Sequence, residues 1–237
     1  MIQKPRLAAT VILLRPAEER GFEVFLTRRP EAMAFLGGMY CFPGGTLRKQ
    51  DCSEAMLGRS AGLRPDQAQK IIGAEVAPRV ALGLWIAALR ELFEEAGILL
   101  AVDAAGTPVV ADMALKARLK EKHSALLRSA MSFESILQGE GLFCDLGALA
   151  HFSRWQTPEQ NSMRFDTHFF LAALPPQQSP LPVTAEVTHS LWLTPDRALQ
   201  MISKNELPII FPTFASLRTL ADFDSLESVW KEYRVRA

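Results

Sequence analysis

Residues 90–98 read Arg90-Glu91-Leu92-Phe93-Glu94-Glu95-Ala96-Gly97-Ile98, one arginine and three carboxylates at the end of a helical pattern. At helical spacing Glu91 stands three and four residues before Glu94 and Glu95. The three side chains therefore emerge on roughly one face and repel one another unless a cation stands among them. A helix C-terminus is the negative end of the dipole, which makes the placement still less favourable. Carboxylate oxygens suit a hard divalent ion such as Mg2+ or Mn2+, which binds through a few carboxylates, waters and substrate phosphates. Taken alone, the same pattern also describes a solvated acidic face with a weak surface ion pair.

Working outward, Pro78 suits the first turn of a helix running to about residue 96. Leu82, Trp85, Ile86, Leu89 and Phe93 form its apolar stripe and Gly97 its cap. Further upstream, Phe42-Pro43-Gly44-Gly45 follows the strand-like Met39-Tyr40-Cys41. Paired glycines let backbone approach a ligand where a side chain would block it, and a glycine carbonyl can itself be a ligand.

These residues resemble the signature of the Nudix hydrolases, G-x5-E-x7-R-E-U-x-E-E-x-G-U with U aliphatic, enzymes that cleave a nucleoside diphosphate linked to another moiety. The second half fits from Arg90 to Ile98. In the first half Gly45 is the glycine and Asp51 stands where the family has Glu. Residues 52–89 then occupy the place of seven, an interruption similar to that of the coenzyme A diphosphatase branch known from animal peroxisomes. Residues 6–14, 22–29 and 33–45, Trp155-Gln156-Thr157-Pro158 and residues 164–171 resemble the same branch. Its upstream pattern, L-L-T-x-R-[S or A]-x3-R-x3-G-x3-F-P-G-G, is met in register from Phe25-Leu26-Thr27-Arg28-Arg29 to Gly38 and Phe42. Phe25, Pro30 and Ala34 depart from it, Ala34 standing for an Arg.

The resemblance implies an α/β fold, a Nudix-type α/β/α sandwich with a mixed sheet and additional helices. It implies one domain over residues 1–237, with a helical insertion at about 52–81 inside the signature and a helical C-terminal extension at about 195–237. It also implies that Glu91, Glu94 and Glu95 bind Mg2+, or Mn2+, with the Gly45 carbonyl as a further ligand. Arg90 would orient a glutamate, and Glu91 or Glu94 would activate water. Glu186, before a strand leading to Trp192, is a candidate base or extra ligand, or else a solvent-facing strand-end residue. Arg28 and Arg29 are candidate phosphate binders, of which strand alternation turns one to the site, and Arg29 matches the coenzyme A pattern. The backbone of Gly44 and Gly45 would also meet substrate. Coenzyme A or its thioesters are the expected substrate. ADP-ribose, NADH or a nucleotide sugar are alternatives, as is a Nudix domain that binds a nucleotide without turnover.

The rest of the sequence sets limits on partners. Acidic and basic residues balance at 26 each among 237, leaving no global field to draw nucleic acid or an anionic membrane. Three separated cysteines suggest neither a disulfide framework nor zinc. No segment reads as an export signal or membrane span, and Val235-Arg236-Ala237 is not a peroxisomal address, so a cytoplasmic enzyme with a small nucleotide substrate is expected. The oligomeric state is open.

Hydrophobic periodicity predicts strands at 8–14, 22–27, 148–155, 167–173 and 187–193. Helices are expected at 54–57, 66–72, 114–127, 133–137, 195–201, 213–220 and 225–233. The insertion reads as a helical flap beside the site. Arg164 and Asp166 read as an ion pair. His151, His168 and His189 read as packed or surface residues, and Tyr40 and Trp155 as core aromatics or base-stacking platforms.

Overall fold

In the computed structural model, which describes residues 4–18, 21–33, 36–181 and 187–233, the first apolar run lies in the middle of a mixed sheet. The strands are β1 (Arg6–Pro16), β2 (Phe22–Arg28), β3 (Tyr40–Cys41), β4 (Gly44–Thr46) and β5 (Ser60–Ala61), then β6 (Ala101–Val102), β7 (Phe143–Asp145), β8 (Leu149–Gln156), β9 (Phe165–Ala173) and β10 (His189–Leu193). The helices are α1 (Glu54–Leu57), α2 (Pro65–Ile72), α3 (Pro78–Ala96) and α4 (Met113–Leu127), then α5 (Phe133–Glu140), α6 (Pro195–Ser203), α7 (Phe211–Leu220) and α8 (Leu226–Tyr233).

Among the described residues the main sheet has the order β10-β2-β1-β9-β8, with β3 paired to β2 and β4 to β1. β1 runs parallel to β9 from Arg6↔Phe165 to Leu14↔Ala173 and antiparallel to β2 through Leu14↔Val24. β1 reads as an unbroken apolar run because both of its faces are covered. Ala9, Val11 and Leu13 pack in the cluster of α3, while Ile12 and Leu14 pack in that of α6, α7 and α8. Three layers result, as expected.

α3 follows its sequence signals. Pro78 occupies the first turn, and Gly97 takes φ 69° and donates its N–H to the Phe93 carbonyl. Trp85 is buried under the sheet with its ring 4.7 Å from that of Phe170. The terminus is held from outside as well. The Gln178 side chain bonds both Leu99 N–H (2.9 Å) and Leu99 carbonyl (2.8 Å), and Leu181 N–H reaches the Ala96 carbonyl at 2.9 Å.

The insertion differs from the expected flap. Its helices form where the pattern places them, but Met56, Ala68, Ile72 and Val76 are buried in the core cluster of α3. β5 joins a second sheet, parallel to β7, with β6 on the other edge. That sheet was not anticipated because strands of two or three residues carry no readable alternation. The expected Arg164–Asp166 pair is also replaced. Arg154, a diagonal neighbour across the β8–β9 ladder, donates from Nε and Nη2 to the Asp166 carboxylate at 2.8 and 2.7 Å, and Arg164 donates to the Thr157 carbonyl. Arg154 also binds Glu75 of the insertion. On the same ladder His151 Nε2 and His168 Nδ1 lie 3.2 Å apart. Tyr40 is a core residue, whereas Trp155 stands edge-on to the exposed Phe211.

Candidate functional site

The site begins with Arg90, buried at 3% exposure in the penultimate turn of α3. Its Nε and Nη2 donate to the two oxygens of Asp51 at 2.8 and 2.9 Å, a bidentate fork. Nη2 also reaches the Thr46 carbonyl at 3.0 Å, and Nη1 reaches Glu91 at 2.6 Å and Glu94 at 3.2 Å. Burial works against the guanidinium charge, but the Asp51 hydrogen bonds and the charges of Glu91, Asp51 and Glu94 hold its pKa above the ordinary arginine value. Asp51 is one methylene shorter than the Glu it replaces. A 3-10 turn over Lys49–Cys52 carries it inward, and the Arg48 N–H bonds its Oδ2 at 2.8 Å. Both carboxylate oxygens thus reach Arg90 from a shorter side chain.

Glu91 is buried beside β4. A Cβ on Gly45 would stand 2.5 Å from Glu91 Oε1, so only glycine lets the strand backbone pass this close to the carboxylate. Burial pushes the Glu91 carboxyl up, the Arg90 charge pulls it down, and Glu94 pushes it up again. Glu94 is more open and is held by Arg48, whose Nη1 and Nη2 donate to Oε1 and Oε2 at 2.8 Å each. The Glu94 backbone is held too. Its carbonyl, one of the last four of the helix and so without an intrahelical partner, meets His123 Nε2 of α4 at 2.9 Å.

Glu95 is buried and acts on the Cys41 thiol, which is pushed up to about 11 by burial and by Glu95 against the opposing charge of Arg29. Among the described residues the buried Arg29 Nε meets no hydrogen-bond partner. Arg28 turns instead to the Gly38 carbonyl and Glu31, both at 3.1 Å. The adjacent arginines thus serve different neighbourhoods, and Arg29 is the one whose charge, like that of Glu95, acts on Cys41. Glu186 and Ala34 lie outside the described residues.

Sequence reasoning brought Glu91, Glu94, Arg90 and Gly45 together and missed Arg48, His123 and Gln178. The signal for Arg48 was its place three residues before Asp51, where a turn directs it back to the same acids. His123 and Gln178 had no local signal, because their partners lie 29 and 79 residues away.

The acids were expected to need a cation, and two guanidinium groups supply that charge here. Among the described residues no three acidic, histidine or cysteine side chains close on one point as a metal cage. The donors available are nevertheless all hard oxygens, the carboxylates of Glu91, Glu94 and Glu95 and the carbonyl of Gly45. Gly45 leaves free, beside Glu91, the space that a Cβ would fill. This set has the chemistry that suits a hard divalent ion.

The chain is similar to known proteins over most of its length. The human acyl-coenzyme A diphosphatase NUDT19 is 29% identical over 247 residues, covering 92% of this chain and 65% of the relative. The Xenopus laevis protein of the same name is 28% identical, covering 89% and 62%. The chain therefore spans less than two thirds of the length of either. A crystal structure of a NUDIX hydrolase from Alicyclobacillus acidocaldarius matches with TM-score 0.76 and 29% identity, covering 100% of both chains. Among the described residues no helix is long and apolar enough to cross a membrane. The NUDT19 Nudix domain model matches residues 5–220, from β1 to the end of α7, and the chain belongs to that Nudix family.

Proposed function

We propose that this protein hydrolyses the diphosphate linkage of coenzyme A or an acyl-coenzyme A, releasing 3',5'-adenosine bisphosphate and a phosphopantetheine product. The reading rests on one observation above all. Glu91 and Glu94 stand at the end of a buried helix, braced by the Arg90–Asp51 fork, with the Gly45 backbone against Glu91. That is an arrangement that holds carboxylates close together and fixed.

Glu91, Glu94, Glu95 and the Gly45 carbonyl would hold Mg2+, with Mn2+ as the substitute. Bound there, the ion neutralises charge on the diphosphate and lowers the pKa of water. Arg90 keeps Glu91 and Glu94 oriented without touching substrate. Arg29, whose Nε meets no partner among the described residues, is the phosphate-binding arginine, and the glycine backbone of Gly44 and Gly45 lets the diphosphate approach. Water attacks one phosphorus, the bridging P–O bond breaks, and a carboxylate of the set accepts the water proton. Glu91, Glu94 and Glu186 are the candidates.

The substrate comes from the relatives named acyl-coenzyme A diphosphatase and from the register of Arg29, Gly38 and Phe42. Ala34, which replaces an arginine of that pattern, supports a second reading in which ADP-ribose, NADH or a nucleotide sugar is preferred. The test is a panel of coenzyme A, acetyl-coenzyme A, ADP-ribose, NADH and a nucleotide sugar with Mg2+, the products separated by mass. Release of 3',5'-adenosine bisphosphate from the coenzyme A compounds is expected. Faster cleavage of another compound replaces the substrate and keeps the chemistry.

A further inference from the structure

Arg48 and Arg90 hold the same two carboxylates in opposite ways. Arg90 is locked, with its side chain 4% exposed and bonds to Asp51, Thr46, Glu91 and Glu94. Arg48 is 48% exposed, and its side-chain partners among the described residues are Glu94, with two bonds at 2.8 Å, and Glu91 at 3.9 Å. Its backbone N–H is fixed to Asp51, so the fork can leave the acids while the residue stays at the mouth of the site. Both Glu94 oxygens already accept from guanidinium groups, and Oε2 accepts from two. A divalent ion bound to Glu94 would face the Arg48 charge across the same carboxylate. With three of its roughly four acceptor sites taken by guanidinium groups, Glu94 binds an ion better once Arg48 leaves.

We propose that Arg48 is a displaceable counter-cation for Glu94, a positioning residue that neutralises the acids before metal arrives and must be expelled when it binds. This rests on the metal-dependent reading above. It answers how carboxylates placed at a helix C-terminus are kept together in the metal-free chain, where like charges and the dipole both oppose them. It also sets a consequence for affinity. Only the fraction of molecules with the fork open is competent to bind, so the apparent dissociation constant for metal is raised by the inverse of that fraction.

The test is titration of the metal-free protein with MnCl2, followed by calorimetry and by the loss of the free-Mn2+ paramagnetic signal, for wild type, Arg48→Gln and Lys49→Gln. Lys49 carries the same charge on the next residue, so its variant measures the effect of long-range charge alone. Arg48→Gln should bind Mn2+ about tenfold more tightly than wild type, while Lys49→Gln changes less than about twofold. The melting temperature of metal-free Arg48→Gln should fall, and its rise on adding Mn2+ should exceed that of wild type. Unchanged or weaker affinity in Arg48→Gln, or an equal gain in Lys49→Gln, overturns the proposal and leaves the metal site standing. Failure of all three proteins to take up Mn2+ overturns the metal-dependent reading, and this proposal with it.

Discussion

At the scale of single residues, the site is built on one buried ion pair. Arg90 and Asp51 are almost fully enclosed and 39 residues apart, yet the fork between them fixes where Glu91 and Glu94 point. Breaking such a pair from one side leaves an uncompensated buried charge. Asp51→Ala is therefore expected to destabilise the protein by roughly 3–5 kcal/mol, measured by urea unfolding. A loss below about 1 kcal/mol would mean that Asp51 does not hold Arg90. The residue types and spacing of this cluster were legible in the sequence, because the signature positions for Arg90, Glu91 and Glu94 lie within one and a half helical turns. The Asp in place of Glu was also visible. That a 3-10 turn makes up for the missing methylene was not, since the turn depends on how residues 48–51 fold back on themselves.

At the scale of elements, helices with strong local punctuation were readable to within a residue or two. α3 has Pro78 and Gly97 at its ends, and α6 has Thr194, whose hydroxyl accepts from the Arg197 N–H. What the pattern could not supply was partnership between strands. The β8–β9 ladder brings His151 and His168 together against Trp85 and Phe170, and burial holds each imidazole down to about 4. Each titrates near its ordinary value of about 6.5 once the chain unfolds. Between those values the unfolded chain takes up protons that the folded chain does not, so stability should fall as pH drops from about 6.5 towards 4. The charged groups beside the pair are Arg154, Asp166 and Glu75. Arg154 holds the Asp166 carboxyl below its ordinary value, which confines the Asp166 contribution to pH below about 4. Melting temperatures between pH 7 and 4.5 should thus decline more steeply in wild type than in a His151→Leu, His168→Leu double variant. Equal slopes would show that the pair does not stay neutral in the folded protein.

At the scale of the whole molecule, the long interruption of the signature is structural. Its buried side chains complete the core around α3, its strand joins the second sheet, and Glu75 ties it to the far edge of the main sheet through Arg154. The sequence revealed the interruption and its helices, but not their burial, because the partners come from β7, β8 and α3. Deleting residues 54–74 should abolish cooperative unfolding and yield aggregated or expanded protein by circular dichroism and size-exclusion chromatography. A folded deletion variant with a changed substrate profile would restore the flap. The claim that joins all three scales is that the acidic end of α3 is a metal-dependent hydrolytic centre. Its most direct test is the rate of coenzyme A cleavage by wild type and Glu94→Gln as Mg2+ is raised, with the fold of both verified by circular dichroism. Saturable Mg2+-dependent release of 3',5'-adenosine bisphosphate by wild type, falling by at least about a hundredfold in Glu94→Gln, is the expected result. Equal Mg2+-dependent rates in the two proteins would contradict it.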